Sequence, residues 1–248
     1  METDARPFIR RTGINWISLT AFTLFHFGAV AALFFFTWPA FFAALALYWV
    51  SQSLGIGMGY PRLLTHRSYQ LPKWIEYFLA ICGTLALESG PMFWVATHRI
   101  HHQFSDHEGD PHTPRDGKWR SHIGWMLVGD ATHCDIQQCS RYAPDICKDR
   151  FLVWLSKYHY VPLVIVSVLL LAFGGLPFLL WGVFFRVTLG LACDVDGQLP
   201  DALLGNPTVC HSGRLTQQLV GGPVEFRRGL AQQSSRPPDI SPAWTGMV

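Results

Sequence analysis

Residues 14–58 read INWISLTAFTLFHFGAVAALFFFTWPAFFAALALYWVSQSLGIGM. Up to Phe36 this stretch has no acidic residue, lysine or arginine, and from Phe41 onward it is apolar again. Each run is close to the ~20 apolar residues that a helix needs to cross a lipid bilayer. Trp38-Pro39 separates the two runs, because proline does not continue a helix from the preceding turn. The sequence therefore predicts a transmembrane hairpin over residues 14–58.

A second apolar region covers residues 161–190, and its halves are joined at Gly174-Gly175-Leu176-Pro177, which indicates a turn. Of the 248 residues, 50% are hydrophobic and only 15% are charged, a balance typical of membrane proteins. Residues 191–248 are rich in Gly, Pro, Gln and Ser, without sustained periodicity. The predicted fold class is all-α and integral to the membrane: four transmembrane helices in two hairpins, followed by an irregular C-terminal tail.

Arginines flank the first hairpin on both sides, at Arg6, Arg10 and Arg11 before it and at Arg62 and Arg67 after it. Positive residues favour the cytoplasmic side of a membrane. We therefore expect residues 1–13 and the histidine-rich segment 59–160 to be cytoplasmic, the latter as a helical cap. The net charge of +2 comes without a dense basic cluster, so nucleic acid is not an expected partner.

The stretch 75–95 is also apolar and long enough to span. It is interrupted by small, acidic and helix-breaking residues, namely Gly83, Glu88, Gly90 and Pro91. A transmembrane helix here would place His66 and His98 on opposite sides of the bilayer. We therefore interpret 75–95 as an interfacial or half-buried helix.

His98, His101 and His102 follow one another within five residues. On a helix, positions three and four apart share a face, whereas the adjacent pair His101 and His102 diverge enough to reach two different metal ions. Neutral imidazoles suit iron and leave coordination positions open for oxygen. We predict a metal site from these three side chains together with His66. Isolated histidines at the membrane boundary, such as His26 and His159, are expected to be satisfied polar groups.

Two other motifs have a structural explanation beside a functional one. His107 and His112 lie in a loop rich in Asp and Gly, and either could be a surface residue. The run Gly55-Ile56-Gly57-Met58-Gly59 has neither the preceding strand nor the following Lys-Ser/Thr of a phosphate loop. Close helix packing explains it better.

Two stretches now carry a specific resemblance: 59–69, and 94–127, which reads WVATHRIHHQFSDHEGDPHTPRDGKWRSHIGWML. They closely resemble the acyl-CoA and acyl-lipid delta-9 fatty acid desaturases, over about residues 14–190. The resemblance implies a cytoplasmic centre of two iron ions held by three histidine boxes. It implies electrons from a ferredoxin- or cytochrome-b5-type donor, and dioxygen-dependent insertion of a cis double bond into a saturated acyl chain of acyl-CoA or an acyl-lipid.

Carried over by position, His66 belongs to the first box and His98, His101 and His102 belong to the second, as metal ligands and catalytic residues. Asp110 and His112 fall in the loop near the entrance of the acyl channel.

The chain departs from this family at two places. The family has a histidine five residues before the position of His66, where this chain has Pro61, and its third box is missing. Reading one nucleotide later, codons compatible with 231–238 give His-Asn-Asn-His-His-Ala-His, and codons compatible with 191–205 give Leu-His-Ala-Thr-Trp-Met-Val-Asn-Ser-Arg-Thr-His-Phe-Trp-Gly. We infer a single frameshift near Gly190. The di-iron centre is then incomplete and desaturation by this chain impaired or absent.

The residues are also compatible with two other functions. A membrane fatty-acyl or alkyl hydroxylase of the same histidine-box class shares the removal of hydrogen from an unactivated carbon. A non-catalytic truncated membrane protein is the other interpretation, since a chain with four of its expected ligands could bind metal loosely or not at all.

Overall fold

A computed structural model describes residues 13–105, 110–111, 117, 119, 123–128 and 136–193. All regular structure in these residues is helical, as predicted. In this described part of the chain, three helices are long and apolar enough to cross a membrane: Trp16–Phe35, Trp38–Thr65 and Val161–Cys193.

The first two of these helices begin at side-chain caps. Helix α1 (Trp16–Ala32) starts at Asn15, whose side-chain oxygen accepts hydrogen bonds from the next turn, and ends in a tight turn over Leu33–Phe35. Helix α2 (Trp38–Trp49) starts at Thr37 in the same way, with proline in its first turn. Trp38-Pro39 therefore begins the second helix, and the predicted boundary between the two runs is confirmed.

Helix α2 continues without interruption into a segment of wide turns, Val50–Thr65, and so extends past the predicted end at residue 58. The His66 N–H donates to the Pro61 carbonyl at 2.8 Å, a hydrogen bond spanning five residues instead of four. The apolar run ends at Met58, but helical backbone does not require apolar side chains. The helix therefore extends to the residue before His66.

The stretch 75–95 forms two helices, α3 (Lys73–Thr84) and α4 (Pro91–Phe104). Between them Leu87 and Ser89 have φ of 64° and 118°, values that an α-helix excludes. The single helix expected over this stretch is therefore absent. Each half, at 12 and 14 residues, is shorter than a typical membrane span.

Among the residues described between α4 and the last long helix, four short helices are present: α5 (Trp125–Leu127), α6 (Ile136–Tyr142), α7 (Pro144–Cys147) and α8 (Arg150–Lys157). The largest cluster of buried side chains joins α6, α7 and α8 to α3, α4 and the end of the wide-turn segment. It includes Tyr60, Leu63, Leu64, Leu79, Val95, Ile146, Leu152 and Leu155. This core fixes the two histidine-bearing segments relative to each other.

The last long helix comprises α9 (Val161–Leu179), a wide-turn segment (Leu180–Phe185) and α10 (Arg186–Cys193). Gly175 interrupts it with φ 67° and ψ −162°. A Cβ atom on Gly182 would lie 2.7 Å from Leu170 Cδ1, although a straight helix would separate these residues by about 18 Å. The chain therefore bends sharply at Gly175.

The predicted irregular tail over 191–248 lies outside the described residues, except for its first three positions. Those three, Leu191–Cys193, complete α10. The frameshift inferred near Gly190 stays a prediction.

Candidate metal centre

His66 directly follows the wide-turn segment, and the other three histidines of the predicted site lie on α4. The structure brings together His66, His98 and His102, whose potential ligand nitrogens all lie within 4.8 Å of one another. His98 and His102 share a helix face because they are four residues apart. His66 joins them from a segment 32 residues earlier in the chain.

The three rings are mutually inclined, which brings their edges together. The ring centroids lie 4.6 Å apart for His98 and His102, 4.9 Å for His66 and His102, and 5.6 Å for His66 and His98. The Nε2 atoms of His98 and His102 are 3.1 Å apart. Two imidazole lone pairs at this distance repel unless a proton or a metal ion lies between them. The geometry therefore fits a metal ion with imidazole ligands.

His101 lies outside this trio. Its Nδ1 is 2.9 Å from Oδ1 of Asp110, a carboxylate whose side chain is fully buried. A carboxylate only accepts hydrogen bonds, so Nδ1 of His101 carries the proton and any metal would be held through Nε2. Carboxylates commonly fix metal-binding histidines in this way. The 5.9 Å between the His101 and His102 ring centroids agrees with the predicted divergence of the pair.

The expectation that Asp110 lies near the entrance of an acyl channel stays a prediction, and the contact that the structure shows for it is the one with His101. The other residue expected there, His112, lies outside the described residues. The pairing with His101 was missed from the sequence because Asp110 lies six residues beyond the end of α4, where helical spacing no longer relates one side chain to another.

A second missed residue is Trp94, whose indole stacks on the His98 ring at 4.6 Å with an interplanar angle of 22°. The indole is itself held, because its Nε1 donates to Glu88 Oε2 at 3.2 Å. Trp94 therefore restricts the rotation of His98. The spacing of four residues on one helix was the available signal.

Position 61 lies one wide turn before His66, as the hydrogen bond from the His66 N–H to the Pro61 carbonyl shows. A side chain at 61 is therefore on the side of the helix from which His66 reaches the trio. Proline offers no ligand atom there. The sequence departure thus lies one wide turn before His66.

His26 and His159 do not join the cluster. The Nδ1 atom of each lies within hydrogen-bonding distance of a backbone carbonyl, at Phe22 and Ser156 respectively. Burial lowers the pKa of His159 from its ordinary value, and the hydrogen bond to the carbonyl only partly offsets this. Both are satisfied polar groups, as predicted.

Asp145 is the carboxylate that binds Arg67 and Arg99, the residues that follow His66 and His98. Partial burial alone would raise its pKa, but hydrogen bonds and charges from Arg99 and Arg67 outweigh that effect and hold the pKa well below its ordinary value. Asp145 is therefore ionised at neutral pH and remains so in moderately acidic solution.

The chain was compared with protein families and with curated proteins. Residues 36–195 match the family model described as fatty acid desaturase. The chain is 47% identical over 176 residues to an sn-1 stearoyl-lipid 9-desaturase of Anabaena variabilis, covering 70% of this chain and 64% of the relative. It is 40% identical over 177 residues to an sn-2 palmitoyl-lipid 9-desaturase of Nostoc, covering 71% and 62%.

It is also 41% identical over 167 residues to an acyl-CoA 5-desaturase of Anemone leveillei, covering 66% of this chain and 51% of the relative. The chain thus spans less than two thirds of the length of these curated relatives. The matched region contains the whole histidine cluster.

Proposed function

The chain belongs to the fatty acid desaturase family, and from this we propose that it is the membrane-bound core of an enzyme that inserts a cis double bond into a saturated acyl chain. The observation that carries the proposal is the convergence of His66, His98 and His102, with ligand nitrogens within 4.8 Å. Two relatives are named as 9-desaturases of lipid-linked acyl chains, which favours delta-9 chemistry on an acyl-lipid, with acyl-CoA as the alternative carrier.

Two iron ions are the cofactor that this reaction would use. His66, His98 and His102 would hold one of them, and His101 would contribute to the second. When bound, the iron pair supplies the activation of dioxygen that removal of hydrogen from an unactivated carbon requires. Asp110 keeps the His101 ring in one tautomer, and Trp94 limits the rotation of His98, so the ligands are held in place before a metal arrives. A ferredoxin- or cytochrome-b5-type protein would supply the electrons.

We infer four membrane spans in two hairpins. The bend at Gly175 and the contact between Leu170 and Gly182 support a reversal within the last long helix. The N-terminus and the histidine boxes would then share the cytoplasmic side, in agreement with the arginines that flank the first hairpin.

Helix α3 would lie in the membrane interface. Trp74 and Phe78, four residues apart, are exposed to 72% and 50%, whereas Leu79 and Ala80 are buried in the core. One apolar face is thus left for lipid while the other face packs on protein.

The metal-binding set of this chain is incomplete. Pro61 supplies no ligand beside His66, and residues 191–248 lack the third histidine box. The family match ends at residue 195, close to the inferred frameshift. Loss of a direct ligand costs more than the roughly 10–100-fold typical of changes behind the ligands. We therefore expect little or no desaturation from this chain.

The test is expression in a host that lacks its own desaturase, followed by fatty-acid profiling. Two genes are compared: the chain itself, and a gene with Pro61→His and the reading frame moved by one nucleotide after Gly190. Only the second should produce monounsaturated acids. Equal product from both would show that the ligand set is misassigned. Hydroxylated acids would identify a hydroxylase, and no product from either membrane-inserted protein would favour a non-catalytic role.

A further inference from the structure

Two arginines each directly follow a histidine of the trio, and both bind the same carboxylate. Arg99, which follows His98, donates to Asp145 through both terminal nitrogens, at 2.7 and 3.0 Å. Arg67, which follows His66, donates to Asp145 Oδ2 at 2.7 Å from Nη2 and 3.2 Å from Nε. Asp145 therefore lies at the junction of the two histidine-bearing segments.

Arg99 also reaches the backbone that leads into His66. Its Nη2 donates to the carbonyls of Leu64 and Thr65 at 3.0 and 3.2 Å, and its Nη1 donates to the Tyr142 carbonyl at 3.0 Å. The two terminal nitrogens carry four N–H groups for these three carbonyls and the two Asp145 oxygens, so one N–H of Nη2 is shared between two acceptors. Helix α4 is thus tied, one residue after His98, to the last two residues before His66.

The residue after His66 has an uncommon backbone conformation. Arg67 has a φ of 51°, in the left-handed region that few residues other than glycine adopt. Its side chain is bound to Asp145 and lies 3.8 Å from the buried carboxylate of Glu76. Without these partners the backbone after His66 would relax towards a commoner conformation, which would turn the His66 ring away from α4.

We propose that Asp145 is a positioning residue for the metal centre: by binding Arg67 and Arg99 together, it holds His66 against His98 and His102. The inference rests on the proposed metal centre and extends it to a residue that touches no metal. Helix α7 carries Asp145 and is packed in the core through Ile146, so the backbone from which the carboxylate extends is held in place. Asp145 thus adds a polar link between two segments that the core already packs together.

The chain offers a matched control in Asp149, an acidic residue four positions further along the chain that also forms an ion pair. Asp149 accepts from Lys73 Nζ at 3.0 Å and from the Tyr77 hydroxyl, and it caps α8. None of these contacts involves a residue next to a histidine of the trio. Asp149→Asn therefore removes a comparable ion pair while leaving the two arginines in place.

The experiment is a Co²⁺ titration of the detergent-solubilised full chain, followed by the visible absorption of the bound ion. We expect Asp145→Asn to weaken Co²⁺ binding by about tenfold or more, with helical circular dichroism unchanged. Asp149→Asn should bind within about twofold of the parent chain. Arg99→Lys keeps the charge but loses the fork, so it should resemble Asp145→Asn even if the latter folds poorly.

The positioning role is overturned if Asp145→Asn and Arg99→Lys both bind Co²⁺ as tightly as the parent chain while His66→Ala binds it more weakly. That result would leave the proposed metal centre intact. If the parent chain and His66→Ala bind Co²⁺ equally, or neither binds it, the proposed metal centre is wrong and this inference falls with it.

Discussion

Replacing Gly55 with alanine would place a methyl group inside the contact between the His66-bearing helix and α3. A Cβ atom at position 55 would lie 2.4 Å from the backbone nitrogen of Gly83 and 2.5 Å from the carbonyl carbon of Cys82. Neither atom belongs to a flexible side chain, so the backbones themselves must separate. One turn later, a Cβ on Gly59 would meet the Leu79 carbonyl oxygen at 3.0 Å. The predicted role of these two glycines in close helix packing is confirmed.

The magnitude follows from the distances. Restoring an ordinary contact requires the two helices to move apart by about 1 Å, and overpacking of this kind costs ~1–3 kcal/mol. Alanine gains up to ~1 kcal/mol over glycine in helix propensity, which offsets part of the loss. We expect Gly55→Ala to lower the free energy of unfolding by about 1–2 kcal/mol. It should also weaken Co²⁺ binding, because a displaced helix carries His66 with it.

Gly57→Ala is the matched control. A Cβ at position 57 meets only the Gln52 carbonyl oxygen of its own helix, at 3.1 Å. This change should leave stability equal or raise it by up to ~1 kcal/mol. Both variants are compared by thermal unfolding in the same detergent, with circular dichroism as the readout. A Gly55→Ala protein as stable as Gly57→Ala would refute the proposed tight contact between the helices.

Three further predictions follow from single positions. Pro61→His adds a ligand one wide turn before His66, so it should tighten Co²⁺ binding in the titration by on the order of tenfold or more. Unchanged Co²⁺ affinity would show that position 61 does not belong to the site. Because burial lowers the pKa of His159, the unfolded chain binds a proton more readily, and the melting temperature should fall as the pH drops below about 6.5. His159→Gln should flatten that part of the curve, and a parallel curve would contradict this origin. Arg186 is 2% exposed and donates to Ser51 Oγ and to the Leu85 carbonyl. Arg186→Lys leaves an acceptor unsatisfied, so it should lower the free energy of unfolding by about 1–3 kcal/mol. An unchanged melting temperature would show that these bonds are dispensable.

The sequence was most informative where local rules decide the structure. The proline of Trp38-Pro39 predicts where α2 begins, and the shared face of His98 and His102 follows from their spacing. The prediction that His66 joins this pair came first, and it led us to interpret 75–95 as a stretch that does not cross the membrane. The structure shows two helices over this stretch, with left-handed backbone at Leu87 and Ser89 between them.

Contacts between distant segments were beyond local rules. Arg67 and Asp145 are 78 residues apart, and no helix or loop pattern links an arginine to one carboxylate among several. The extension of α2 past Met58 was missed because hydropathy detects the apolar run and not the helix. Both features depend on packing against the core around Tyr60 and Leu64, which a linear pattern does not contain.

The most direct test of the central claim is the iron content of the purified full-length chain, measured beside His66→Ala, His102→Ala and the control His26→Ala. The histidine trio predicts that the parent and His26→Ala retain close to one iron per chain, whereas the two site variants lose it. Equal iron content in all four proteins would show that His66, His98 and His102 do not form a metal centre.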